Sequence, residues 1–255
     1  MDLALTREVS PAISRCVLTR LAREPIDVAR AREQHRHYEE SLEAAGCSLL
    51  RLPAEPELPD SVFVEDVAIV TDELAILTRP GAASRRPEIA AVALALAPHR
   101  PLVTIEAPAT LDGGDVLRIG RRVFVGQSCR TNAEGLTRLR AILEPLGYRL
   151  VGVPLAKCLH LKSAVTQVGE EAVLLDPGWV DPAAFAAYER IEIDPAEPYA
   201  ANGLLVRDTL VYPSAYRRTR ERLEVRGIRI AAVDVSELTK AEGAVTCCSV
   251  VFETG

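Results

Sequence analysis

The chain has 255 residues, of which 48% are hydrophobic, 26% charged and only 4% aromatic, the make-up of a folded globular protein and not of a disordered one. A formal net charge of −6 with so few aromatic rings argues against nucleic-acid and anionic-membrane partners, which call for basic patches and stacking platforms. No uninterrupted apolar run reaches the ~18 residues of a membrane span, and the start MDLALTREVS lacks the basic and apolar regions of a secretory signal.

The first clear element is an amphipathic helix predicted over 27–45, with Asp27 as N-cap and Gly46 just past its end. A short strand, SLLRLP, follows. Then comes FVEDVAIVTDELAILTR, two β-rich runs around Asp72-Glu73, which reads as a hairpin. The same order recurs. A helix over 86–97 and the strand PLVTIEA lead to the hairpin LDGGDVLRIGRRVFVG. A helix over 131–145 and RLVGVP lead to KSAVTQVGEEAVLLDPG. A helix over 181–190 and IEI lead to NGLLVRDTLVYP. The chain closes with a helix over 214–226, the strand IRIAAVDV and the strand-like AVTCCSVVF.

The hairpin turns lie roughly 40–50 residues apart, a period that signals a repeat architecture. The unit is hairpin, helix, strand, and the count reaches five if the two termini complete one copy. A doubly wound parallel sheet is disfavoured, because a hairpin interrupts every step and no glycine-rich phosphate loop joins a strand to a helix. The predicted fold is therefore α/β, a five-bladed propeller of ββαβ units around a pseudo-fivefold axis. No linker or change of composition divides it, so one domain is expected over 1–255.

In such a ring the starts of the first hairpin strands converge near the axis. They bring Asp60 with Glu65 and Asp66, then Asp112, His160, Asn202 and Cys247. A thiol, an imidazole and several carboxylates are the parts for nucleophilic attack on a cationic carbon. Read as strand, FVEDVAIV points Glu65 and Asp66 to opposite faces, so one of them needs a buried cation. The same alternation separates Cys247 from Cys248 and leaves open which one faces the site. LDGGD alone reads first as a turn or bulge before a strand. The six cysteines show no metal spacing and no CxxC, and are expected as reduced thiols in a cytoplasm.

Taken in order, IDVARAREQH, LPDSVFVEDVAIV, LTRPGAASRR, LDGGDVL, FVGQSCRTN, LHLKS and EGAVTCCSVVF resemble the dimethylarginine dimethylaminohydrolase family of the arginine-deiminase (pentein) superfamily. The resemblance spans nearly the whole chain. It implies Cys247 as nucleophile, His160 as general acid and base, and Asp112 as the carboxylate that partners the substrate's guanidinium and the histidine. It implies Glu65 and Asp66, with Asp60 nearby, as guanidinium-binding carboxylates and Phe63 as lining of the substrate channel. Arg85 and Arg130 would hold the substrate's α-carboxylate, and Leu18 would lie on a flexible lid. The residue five before the nucleophile, often Asp in the family, is Glu242 here.

The reaction so implied is hydrolysis of Nω-methylated arginine to citrulline and an alkylamine through a covalent cysteine intermediate, with no metal and no organic cofactor. Two alternatives stay open: a pentein hydrolase or amidinotransferase acting on arginine or another guanidine, and a non-catalytic arginine-binding homologue. The partner expected is a small guanidine, with no nucleic acid and no membrane, and a homodimer is left open. Carboxylates around Cys247 are expected to keep its thiol neutral until a guanidinium binds, and Asp112 to raise the pKa of His160.

Overall fold

The computed structural model describes residues 1–254. It forms five three-stranded sheets, each with the same order. Strand β1 (Asp2–Arg7) is followed by helix α1 (Val28–Ala44) and β2 (Cys47–Leu52). The second unit is β3 (Ala68–Val70), β4 (Ala75–Leu77), α2 (Ile89–Leu96) and β5 (Leu102–Thr104). The third is β6 (Val116–Ile119), β7 (Arg122–Gln127), α3 (Ala133–Leu143) and β8 (Arg149–Pro154). A helical turn, α4 (Leu161–Ala164), introduces β9 (Val165–Gly169), β10 (Ala172–Leu175) and β11 (Glu189–Glu192). The fifth is β12 (Leu204–Val206), β13 (Thr209–Pro213), α5 (Arg217–Glu224) and β14 (Arg229–Val233). A helical turn α6 (Ser236–Thr239) and the last strand β15 (Ser249–Glu253) end the chain.

In every sheet the middle strand pairs antiparallel with the strand before it and parallel with the strand after it. The antiparallel pair needs only a tight turn, whereas the parallel return needs a crossover, which holds α1, α2, α3 or α5 in four units and a single 3-10 turn in the unit of β10 and β11. The terminal sheet is completed as the repeat count required: β15 pairs antiparallel with β1, from Asp2 opposite Glu253 to Thr6 opposite Ser249, and β1 pairs parallel with β2.

Ring closure is visible in the core, because each apolar cluster bridges two neighbouring sheets. Leu5, Val250 and Phe252 meet Val70 and Ala75. Ile76 meets Val116, Val123 and Val125. Leu117, Phe124 and Val153 meet Val165, Val173 and Leu175. Val168 and Leu174 meet Leu210 and Tyr212. Val206, Val211 and Val233 return to Ala4 and Cys47 of the first sheet. No small sheet could bury enough surface alone; stacking each on the next makes a continuous core.

Local signals held where a cap or turn residue fixed them. Asp27 caps α1 by accepting from the N–H groups of Ala29 and Arg30, and Gly46 follows at φ +100°. Asn132 caps α3 through the N–H of Gly135. Three expectations are corrected. The stretch 181–190 is no helix: a single 3-10 turn, Pro182–Phe185, leads straight into β11. The helix read over 86–97 begins only at Ile89, after a 3-10 segment Ala83–Glu88 that contains Pro87. Glu65, Asp66, Cys247 and Cys248 are not on strands, because 3-10 turns Val64–Val67 and Thr246–Cys248 precede β3 and β15. The alternation argument for both pairs therefore does not apply; turn geometry aims these side chains instead.

Candidate active site

Four of the five units place a short helical turn ahead of their first strand: Val64–Val67, Gly113–Asp115, α4 and Thr246–Cys248. These turns carry or flank the chemistry-bearing residues at one end of the ring. Val17, Asp60, Phe63, Asp66, Arg85, Arg130, Leu159, His160, Ala241, Glu242 and Cys247 line one small cavity there. The space inside is about 20 Å³, room for a water molecule or so.

His160 is the hub. Its Nε2 lies 3.0 Å from Asp112 Oδ2, and its Nδ1 lies 3.7 Å from Asp66 Oδ1. Asp112 is fully buried and accepts the N–H of Gly81 at 2.8 Å on its other oxygen. Asp66 accepts the N–H of Gly114 at 3.0 Å and is paired to Arg85. The adjacent glycines of LDGGD exist for this approach. A Cβ on Gly114 would stand 2.7 Å from both the Asp66 carboxylate and the His160 ring, and one on Gly113 would collide with the Glu65 carbonyl at 1.9 Å. Only residues without side chains let the two turns meet.

Burial alone lowers the His160 pKa, but the charge of Asp66, the hydrogen bond to Asp112 and the charges of Asp115 and Asp112 outweigh it and raise the ring to about 10. Asp66, not Asp112 as the sequence suggested, is the leading charge. Asp66 itself stays below the usual carboxylate range: burial opposes ionisation, but His160 and Arg85 more than offset it. Burial, and then the charges of Glu65 and Asp66, push the Cys247 thiol far up. The expected neutral thiol thus has burial as its first cause and neighbouring charge as its second.

The two adjacent cysteines separate clearly. Cys247 is partly exposed into the cavity, with Sγ 3.4 Å from the N–H of Ala244. Cys248 is fully buried in the core cluster between the last and first sheets.

Arg85 is buried and almost fully spent. Its donors serve both oxygens of Glu88, the Asp66 carboxylate and the carbonyls of Asp60 and Phe63. At most one N–H, on Nη1, is left. Arg130 is less committed: Nη2 donates to the Thr19 hydroxyl at 2.7 Å, and Nη1 stands 3.9 Å from Asp112. The Asp60 carboxylate accepts the N–H of Val17 at 3.1 and 3.2 Å. Phe63 lines the cavity at the edge of Gly243. Leu18 is half-buried against the core, and its neighbour Val17 is the residue of that segment facing the cavity.

Glu65 departs from the arrangement read from the sequence. Its carboxylate pairs with Lys162 at 2.6 Å and accepts from the Thr246 hydroxyl at 2.9 Å. It faces a second cavity on the ring axis, lined by the first strands of all five units. Lys162, from the quoted LHLKS, is the cation the buried carboxylate required. Glu88 and Asp115 were also unassigned. Glu88 balances Arg85. Asp115 accepts from the hydroxyls of Ser128 and Thr131 and from the N–H of Leu161, tying the loop of Arg130 to the turn after His160. For Glu65 a charge against an apolar run was the available signal, but Glu88 follows Arg-Arg-Pro and Asp115 follows Asp-Gly-Gly, so neither stood out in the sequence.

Asp66, Asp112 and His160 offer donor atoms within 4.8 Å of one another, a grouping that could hold a metal ion. A dication there would have to displace Arg85 from Asp66 and the proton from His160, two cations that already balance these carboxylates.

No protein-family model matches the chain. It is 42% identical over 249 residues to the N(G),N(G)-dimethylarginine dimethylaminohydrolase of Streptomyces coelicolor, covering 97% of this chain and 95% of that protein. A solved dimethylarginine dimethylaminohydrolase of Pseudomonas aeruginosa, a cysteine-to-serine mutant complexed with citrulline, superposes with a TM-score of 0.94 at 36% identity over 98% of both chains. A dimethylarginine dimethylaminohydrolase adduct with S-methyl-L-thiocitrulline, in a histidine-to-glycine mutant, gives the same TM-score at 35% identity, covering 98% of this chain and 99% of that one.

Proposed function

The chain belongs to the dimethylarginine dimethylaminohydrolase family, and on that footing we propose that it hydrolyses Nω-methylated arginine to citrulline and an alkylamine, with Cys247 as nucleophile and His160 as proton carrier. The observation that carries the assignment is the buried pair of His160 and Asp112 at 3.0 Å, beside a second carboxylate, opening onto the same cavity as the partly exposed Cys247.

The substrate's guanidinium is planar and always charged, and Asp66 and Asp60 line the wall against which it would lie. Its positive charge beside sulfur favours the thiolate that the free site disfavours, so Cys247 ionises on binding and releases its proton to solvent. The thiolate attacks the guanidinium carbon. His160, a cation at neutral pH, donates its proton to the dimethyl-substituted nitrogen as the C–N bond breaks, which leaves a covalent thiouronium and free dimethylamine. Neutral His160 then takes a proton from water. The resulting hydroxide adds to the same carbon, the C–S bond breaks with its electron pair returning to sulfur, the added hydroxyl gives its proton to that sulfur, and citrulline departs. Asp112 holds the ring in orientation through both steps.

Arg130, with the one N–H left on Arg85, anchors the α-carboxylate. Cys129 aside, the cysteines are at least partly buried, and the cytoplasm, where thiols stay reduced, is the compartment we propose. The deciding experiment is a product assay on asymmetric dimethylarginine. Citrulline with dimethylamine is the expected result. Citrulline with ammonia from arginine alone would move the substrate to plain guanidines, and absence of product with retained binding would make the chain a receptor.

A further inference from the structure

The segment after the first 3-10 turn, residues 16–24, has no regular structure, yet two carboxylates grip its backbone. Asp60 accepts from Val17. Glu242 accepts from three successive N–H groups, those of Thr19 at 2.9 Å, Arg20 at 2.5 Å and Leu21 at 2.6 Å. Successive amides turned toward one carboxylate form an anion nest. Glu242 itself holds a left-handed backbone, φ +60°, uncommon outside glycine, asparagine and aspartate. It also lines the catalytic cavity together with Ala241 and Val17, five residues before Cys247.

We propose that Glu242 is a positioning residue, a clasp whose carboxylate holds residues 19–21 beside Arg130 and so sets how readily the site opens and closes around substrate. The clasp reaches the carboxylate anchor directly, since Thr19 also accepts from Arg130. An α-carboxylate arriving at Arg130 competes with that hydroxyl. The cavity of about 20 Å³ is far smaller than an arginine, so groups around it give way for binding and for release. Strain at Glu242 keeps its side chain aimed at the nest, and the nest spends three backbone donors that would otherwise face water.

This rests on the functional reading for its kinetic consequence only; the clasp itself is testable without turnover. Arg20 and Arg23 lie in the clasped segment and are trypsin sites. In Glu242→Ala, nicking after these two arginines should accelerate roughly tenfold, the weight of about one charged hydrogen bond. KM for dimethylarginine should shift by a similar factor while kcat stays within twofold, because no reacting group is lost. Glu242→Gln keeps an acceptor without the charge and should fall between. Unchanged nicking with unchanged KM overturns the proposal, as does a fall in kcat at constant nicking rate. Where Glu242→Ala fails to fold, backbone hydrogen exchange in the unsubstituted protein decides. Amides 19–21 should be protected although Thr19 and Arg20 are exposed; free exchange there overturns the clasp. If the protein turns over no guanidine at all, the functional reading falls, and nicking still judges the clasp.

Discussion

The charge on His160 is the quantity on which the reaction order depends. With the ring raised to about 10, the imidazolium outnumbers the neutral form by roughly a thousand to one at pH 7. Burial would lower the value, so the rise comes from Asp66, 3.7 Å from Nδ1, from Asp112, 3.0 Å from Nε2, and from the charge of Asp115. The chain has only four histidines, which makes the assay direct: ring resonances titrated by NMR in histidine-labelled protein. His160 should remain charged through pH 8 and titrate near 10. Asp66→Asn and Asp112→Asn should each lower that value, the first by removing the largest raising charge and the second by removing a charge and weakening a hydrogen bond. The linked stability has a fixed sign. A folded value above the unfolded one of about 6.5 gives a contribution present in full below pH 6.5 and lost as pH rises through about 10. A ring that titrates at or below 7 in the free protein would refute this, and the first proton would then have to come from elsewhere.

Cys247→Ser should abolish turnover and keep ligand binding, whereas Cys248→Ser should cost about 1–3 kcal/mol of stability by placing a hydroxyl in the core and keep turnover per folded molecule; the reverse pattern would exchange their roles. Lys162→Met should destabilise by about 3–5 kcal/mol in urea unfolding, because Glu65 is left buried and unpaired, and adding Glu65→Gln should recover much of the loss. Decarboxylated arginine analogues should bind roughly tenfold or more weakly than dimethylarginine, the weight of a charge-assisted bond to Arg130, and an agmatine-type compound that competes equally well would remove Arg130 from the site. His35 is buried with Nε2 unpartnered, and burial first of all lowers its value to about 4. Its folded value lies below the unfolded one, so stability should fall as pH drops from about 6.5 toward 4, and His35→Gln should flatten that limb in acid-unfolding measurements.

How far the sequence reached follows from the range of the forces involved. Period, hairpin turns and helix caps are local, so the five units, the pairing of the termini, Asp27 and Gly46 were legible in one dimension. The order of motifs likewise marked Cys247, His160 and Asp112 before any contact was known, because this chemistry requires those residue types. Tertiary structure decided what depends on neighbours from other units. Glu65 lies next to Asp66 in sequence, yet a 3-10 turn sends one to Lys162 and the axis and the other to Arg85 and His160. Cys247 and Cys248 look equivalent on paper, and only packing against the first and last sheets buries the second. Arg85 read as a substrate anchor, and packing leaves it at most one N–H for that task, because Glu88, Asp66 and two carbonyls take the rest. The clasp of Glu242 on residues 19–21 joins positions more than 220 apart. A buried charge announces in the sequence that it needs a partner; which partner it finds is a property of the closed ring, where strand ends distant in the chain share a few ångströms of space.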